Sequence, residues 1–237
     1  MSSKIIFYIV RHGKTILNTL GRVQGWSDSP LTEEGIKAAE YLGKGLREIR
    51  FDSAYISDLR RTRQTVRVIL EYQGQKNLSV VEEEGFREAC FGSYESDFNR
   101  TMWREAALYL RYANGQDLLN DVFNREKEIT YEQVVDAIKI LDQLGIAENF
   151  EQVKKRTQKA LLQIADRESR FGEERNVLVV AHGMCITLML QNWGGRQLLE
   201  KDLDNASVCK VIFENGKFTV ESMGDMSYVQ KGMKEGK

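Results

Sequence analysis

Residues Ile5-Ile6-Phe7-Tyr8-Ile9-Val10 run directly into Arg11-His12-Gly13. The first six are apolar or aromatic and four are β-branched, the pattern of a strand buried on both faces. Its carboxyl end carries a cation and an imidazole. Both are costly to desolvate without a partner, most simply an anion. The carboxyl ends of strands in open α/β sheets are also where ligands bind. A second stretch, Asn176–Ala181 (NVLVVA), repeats the arrangement and delivers His182-Gly183. These are the only two histidines in the chain. Either alone reads more readily as structural than catalytic. Two of them, each after a buried strand and before a glycine, predict one shared site.

The composition limits what that site serves. The 237 residues are enough for a substantial core. With 34 basic against 35 acidic side chains the net charge is −1, so nothing draws the chain to nucleic acid or to an anionic membrane. No apolar run is long enough to span a bilayer. Met1-Ser2-Ser3-Lys4 leads straight into the first strand, leaving no room for a signal peptide. Cys90, Cys185 and Cys209 are odd in number and lack C-x-x-C spacing, which predicts free thiols in a reducing cytoplasm.

Outward from the first strand, a glycine-punctuated loop (Gly21 to Trp26) ends at Asp28-Ser29-Pro30, the only proline. Thr32 is a good helix N-cap, with Glu33 and Glu34 at the positive end of the dipole. Ile36, Ala39, Leu42, Leu46 and Ile49 then mark one helical face. Ala54 to Ile56 and Leu78 to Val81 read as short strands. Between them Ser57-Asp58-Leu59 opens a helix with Arg60, Arg61 and Arg63 in its first turns, where cations oppose the macrodipole. An arginine there suggests an anion to hold; the plainer reading, a solvated basic face, suits Arg60 or Arg63. From about Ser93 to Phe150 helical spacings, the aromatics Tyr94, Trp103, Tyr109, Tyr112 and Phe123, and little strand signal predict a helical insertion within a single domain spanning 1–237. A long amphipathic helix follows, Phe150 to Arg170, with Val153, Leu161, Leu162 and Ile164 inward. Met184 to Trp193 is a buried helix. Asn215-Gly216 is a two-residue hairpin turn that sets Phe213 opposite Phe218 and Val211 opposite Val220. The tail after Tyr228 is polar and is expected to fray.

Several chemistries can be tested and set aside. Gly13-Lys14-Thr15 resembles the end of a phosphate-binding P-loop, but position 8, where its first glycine belongs, is Tyr8. Cys185 lacks the arginine six residues on that a cysteine phosphatase needs; Gln191 stands there. Two histidines without H-E-x-x-H argue against zinc, although carboxylates could complete a shell. What remains is an imidazole nucleophile among arginines. Histidine can accept a phosphoryl group on a ring nitrogen, guanidinium groups stabilise its oxygens, and a carboxylic acid protonates the leaving oxygen. Arg11, His12, His182 and one further arginine supply most of that set.

Val10-Arg11-His12-Gly13-Lys14-Thr15 with Asn18 resembles the R-H-G-x-T-x-x-N signature of the histidine phosphatase (phosphoglycerate-mutase-like) superfamily. Asp28 to Gly35 (DSPLTEEG), Ser57 to Thr65 (SDLRRTRQT) and His182-Gly183 are similar to its further motifs, in the same order. The resemblance implies an α/β fold: a three-layer sandwich, its central sheet mostly parallel, with helices on both faces, plus the insertion. It implies that His12 is the nucleophile and that Arg11, Arg61 and His182 form the phosphate pocket. It places Asn18, Gln24, Thr15 and Gly183 at the edge, selects Glu88 as proton donor, and calls for no metal and no cofactor. On its own, a glutamate after the acidic run 82–84 reads as a surface residue.

Within that superfamily, Gly92-Ser93-Tyr94-Glu95 resembles the G-x-aromatic-E segment of the phosphatase branch. Trp103-Arg104 is followed by Glu105, so the paired arginine typical of glycolytic mutases is absent. The expectation is a cytoplasmic phosphatase acting on a small phosphorylated metabolite, as a monomer or homodimer. The alternatives are a phosphoglycerate mutase and an inactive scaffold that binds phosphorylated ligands. The insertion is either a lid offering Tyr94, Trp103 or Arg104 to the leaving group, or a set of helices whose aromatics pack on one another.

Overall fold

A computed structural model describes residues 4–124, 129–194 and 202–235. The chain opens with strand β1 (Lys4–Arg11), one helical turn α1 (Ile16–Thr19) and helix α2 (Glu33–Gly45). Then come β2 (Ser53–Ile56), α3 (Arg60–Gln73) and β3 (Val80–Glu82). Helices α4 (Asn99–Tyr109), α5 (Gly115–Asn124) and α6 (Tyr131–Leu141) fill the insertion, and α7 (Phe150–Ser169) leaves it. The remainder is β4 (Arg175–Ala181), α8 (Gly183–Leu190), β5 (Val208–Glu214), β6 (Lys217–Asp225) and α9 (Ser227–Lys234).

The strands form one sheet in the order β3-β2-β4-β1-β5-β6. The first four run parallel; β5 and β6 add an antiparallel edge. β1 and β4 are neighbours with Arg11 opposite Ala181, so both histidines leave the sheet side by side. The hairpin register is the one that Asn215-Gly216 predicts, Phe213 facing Phe218 and Val211 facing Val220.

The alternation of side chains along β1 divides the core into two layers. Ile5, Phe7 and Ile9 pack with Leu161, Ile164, Ile186 and Met189 of α7 and α8. Tyr8 and Val10 pack on the other face with Leu42, Val66 and Ile69 of α2 and α3. Each such buried side chain contributes about 1.5–3 kcal/mol. The insertion has its own cluster, in which Met102, Ala106, Leu118, Val134 and Ile138 close on Phe150 and Leu188. The Phe123 side chain lies outside the described residues. Among the described residues no helix is long and apolar enough to cross a membrane.

Four expectations need correction. Ile36 is 37% exposed, because the buried face of α2 runs through Gly35, Ala39 and Leu42 and Ile36 is turned about 100° from Gly35. Leu162 is 45% exposed, because Leu161 already occupies the inward angle on α7 and the next residue turns about 100° away. The third strand begins at Val80, so Leu78 belongs to the loop before it. The tail does not fray at Tyr228. It forms α9, which buries Val229 and packs on α2. Its polar residues are used at the rim: Lys231 pairs with Glu48 at 2.6 Å and Glu235 with Arg47 at 3.6 Å. The two helices meet backbone to backbone. A Cβ on Gly45 would fall 1.9 Å from the Tyr228 carbonyl oxygen, and one on Gly232 would fall 1.9 Å from that of Tyr41.

Gly232→Ala must therefore push α9 off α2. We expect a loss of about 1–3 kcal/mol in urea unfolding, the usual cost of overpacking. An unchanged urea midpoint would show that α9 is not seated on α2 in solution.

Candidate active site

His12 follows the last residue of β1 and is held from both sides. Its N–H donates to the Ala181 carbonyl on β4 (3.0 Å), and its own carbonyl accepts from Asn205 Nδ2 (2.9 Å). The ring is set by its Nδ1, 2.8 Å from the Gly13 carbonyl oxygen. A carbonyl oxygen only accepts, so the proton is on Nδ1 and Nε2 carries the free lone pair. Burial, then the charges of Arg61 and Arg11, hold the His12 pKa well below 6.5 and keep the ring neutral. The residue is 4% exposed.

His182 precedes α8 and carries its proton on the other nitrogen. Arg61 Nε donates to His182 Nδ1 at 3.0 Å. A guanidinium only donates, so Nδ1 is the acceptor and the neutral ring holds its hydrogen on Nε2. That Nε2 is buried without a hydrogen-bond partner among the described residues. Burial, then Arg61, hold this imidazole below its ordinary pKa as well. The two rings stand edge to face with centroids 5.2 Å apart. One offers a lone pair and the other an N–H.

Arg61 lies in the first turn of α3 and is fully buried. Besides His182 it donates to the Gly25 carbonyl (2.7 Å), the Ser27 carbonyl (2.9 Å) and Asp28 Oδ1 (3.1 Å). Four of its five N–H groups are thereby used among the described residues, which accounts for a cation at a helix start. Arg11 donates to the Leu203 carbonyl, and its buried Nε has no partner among the described residues. Each histidine is followed by glycine for a spatial reason. A Cβ at Gly13 would lie 2.7 Å from the Gly35 carbonyl oxygen, and one at Gly183 would lie 3.3 Å from the Arg11 guanidinium.

Glu88 is buried against the start of α8. Its Oε2 accepts from the Met184 N–H (3.0 Å), and Oε1 accepts from Cys185 (2.7 Å) and Ala89 (2.9 Å). Those amides and Arg61 favour the carboxylate, but burial outweighs them and raises the pKa above 4.5. The group is thus suited to carrying a proton.

These parts surround a cavity of about 140 Å³. Of the residues singled out from sequence, Arg11, His12, Asn18, Gln24, Glu88 and Gly183 line it. Arg61 and His182 stand fully buried, Arg61 on the His182 ring and that ring against His12. Thr15 is the exception: its hydroxyl caps α1 and donates to Gln24 Oε1, so it does not line the cavity. Of the three insertion candidates, only Trp103 reaches the wall, beside Asn99 and Met102 on α4 and Tyr131 on α6. Tyr94 is buried and donates to Glu105 at 2.6 Å. Arg22, Phe91 and Asp202 also line the cavity and carried no sequence signal; nor did Asn205, which reaches His12 from 193 positions away. Cys90, Cys185 and Cys209 are free and buried. Among the described residues no cluster of histidine, cysteine and carboxylate side chains could hold a metal.

Comparison with known proteins agrees with this geometry. The probable phosphoglycerate mutase GpmB of Erwinia tasmaniensis is 28% identical over 234 residues, 94% of each chain. A phosphoglycerate mutase structure from Bacillus anthracis superposes with a TM-score of 0.91 at 36% identity, covering 98% of both chains. A phosphoserine phosphatase from Entamoeba histolytica superposes with a TM-score of 0.63 at 23% identity, covering 96% of this chain and 99% of its own, a likeness of fold alone. The family model described as histidine phosphatase superfamily (branch 1) matches residues 7–226. The chain therefore belongs to the histidine phosphatase superfamily.

Proposed function

We propose that the chain is a phosphatase of small phosphomonoesters that works through a phosphohistidine on His12. The observation that carries this reading is the pair of complementary imidazoles: an Nε2 lone pair on His12 and an Nε2–H on His182, with ring centroids 5.2 Å apart. His12 Nε2 bonds to phosphorus as the ester P–O bond breaks, and the departing oxygen takes the Glu88 proton. His182, Arg11 and the Arg61 N–H that has no partner among the described residues stabilise the phosphoryl oxygens. Water then attacks phosphorus and gives a proton back to the Glu88 carboxylate. The P–N bond breaks and its electron pair returns to Nε2. Asn18, Gln24 and the Gly183 amide border the phosphoryl end. Thr15 acts behind them by fixing Gln24. No metal or cofactor enters these steps.

The insertion makes the leaving-group wall, through Asn99, Met102 and Trp103 on α4 and Tyr131 on α6. Among the described residues that stretch of wall carries no pair of arginines for a substrate carboxylate; Arg104 is outside it. Arg22, elsewhere on the wall, is engaged with the Ser96 carbonyl (2.7 Å) and the Phe98 ring. This favours hydrolysis over isomerisation. The second reading, a phosphoglycerate mutase, draws on the Bacillus anthracis structure and its 36% identity.

A panel of phosphometabolites separates the two readings. We expect phosphate release from one or more small phosphomonoesters, no interconversion of phosphoglycerate isomers, and loss of turnover in His12→Ala. Trp103→Ala should re-order the panel's kcat/KM values. Isomerisation exceeding phosphate release would establish the mutase, and undiminished turnover by His12→Ala would remove the nucleophile.

The pH profile follows from the two shifted groups. His12 must be neutral to attack, so kcat/KM falls as pH drops through its depressed pKa, below 6.5. Glu88 must be protonated to act as acid, so kcat/KM falls as pH rises through its elevated pKa, above 4.5. We expect a bell with these two limbs and loss of the alkaline limb in Glu88→Gln. An alkaline limb that survives Glu88→Gln would assign it to another group.

A further inference from the structure

Glu88 sits in a segment without regular secondary structure, Arg87 to Cys90, so no ladder of backbone bonds fixes where its carboxyl points. The segment is instead gathered mainly by one side chain from α7, with Trp26 Nε1 adding a single bond to the Glu88 carbonyl at 3.1 Å. Arg156 Nη1 donates to the carbonyls of Gly85 (3.0 Å) and Arg87 (2.7 Å), and Nη2 donates to that of Glu88 itself (2.8 Å). Its Nε and Nη2 also bind the two oxygens of Glu148, each at 2.7 Å. All five guanidinium N–H groups are used. Glu148 extends the hold by accepting the Cys90 N–H at 3.0 Å. One ion pair therefore grips the chain on both sides of Glu88. Its side chains are only 22% and 15% exposed.

We propose that Arg156, with Glu148 as its counterion, is the positioning residue for the proton donor of the reaction. This rests on the reading of Glu88 as general acid. Three carbonyls and a bidentate carboxylate converge on a rigid fork, a pattern that lysine cannot reproduce with three donors on one nitrogen. The carboxyl of Glu88 is tied to the start of α8, while its backbone is tied to α7. Arg156 thus sets the distance between the proton and the leaving oxygen without touching either. Errors of about 1 Å in such placement cost on the order of 100-fold in rate.

A plain structural ion pair and a positioning residue differ in which substrates suffer. An alkyl phosphate needs its leaving oxygen protonated; 2,4-dinitrophenyl phosphate leaves as a stable phenolate and does not. The test compares kcat/KM for the best alkyl phosphate of the panel with that for 2,4-dinitrophenyl phosphate, in the wild type, Arg156→Lys, Glu148→Gln and Glu88→Gln. The ratio within one preparation is independent of the fraction correctly folded. We expect Glu88→Gln to lose about 10²–10⁴-fold on the alkyl substrate and little on the activated one. Arg156→Lys should show the same selectivity at about tenfold or more, with Glu148→Gln between it and the wild type. If Glu88→Gln is selective but Arg156→Lys lowers both substrates alike, or neither, the positioning role is overturned while the general acid stands. If Glu88→Gln is itself unselective, the acid assignment falls and the inference with it.

Discussion

A guanidinium group can donate hydrogen bonds and cannot accept one. When Arg61 Nε meets His182 Nδ1, that rule fixes which nitrogen of the second imidazole keeps its hydrogen. The Gly13 carbonyl applies the converse rule to His12. Two chemically identical side chains thus become a base and a donor through neighbours of opposite hydrogen-bonding sense. Burial beside two arginines keeps both rings neutral, and protonating either would erase the difference.

The fold exists around that pair. β1 and β4 must be adjacent and parallel for the rings to emerge together, and α3 must start beside them for Arg61 to reach His182. The loop from Gly25 to Asp28 must fold back to offer two carbonyls and a carboxylate to the same guanidinium. Burying so many charged groups at one sheet edge is costly, and it is sustained because nearly every polar atom has a partner. Among the described residues, Arg11 Nε and His182 Nε2 are buried donors without a partner near where an anion is expected, and the Ser57 and Ser207 hydroxyls at the same end of the sheet are also unpartnered.

How far the sequence discloses this depends on the range of each interaction. The buried strands, the hairpin register and the two histidines are local patterns, and their order along the chain carries the family resemblance. Glu88 is different. Its chemistry comes from burial at the start of α8, 96 positions away, and without the motif it looks like one more residue of an acidic run. Arg156, Trp26 and Asn205 are less visible still, because each bonds to a remote backbone carbonyl, and any residue type can supply a carbonyl. The tail misleads for a related reason. Its composition is polar, but two glycines let α9 and α2 touch backbone to backbone, which no hydropathy pattern records.

The division of labour between the imidazoles can be read without turnover, by long-range ¹H–¹⁵N correlation spectra of the histidine rings in the free protein at neutral pH. We expect two neutral rings of opposite tautomer, with His12 protonated at Nδ1 and His182 at Nε2. Matching tautomers, or an imidazolium at either position, would contradict this assignment.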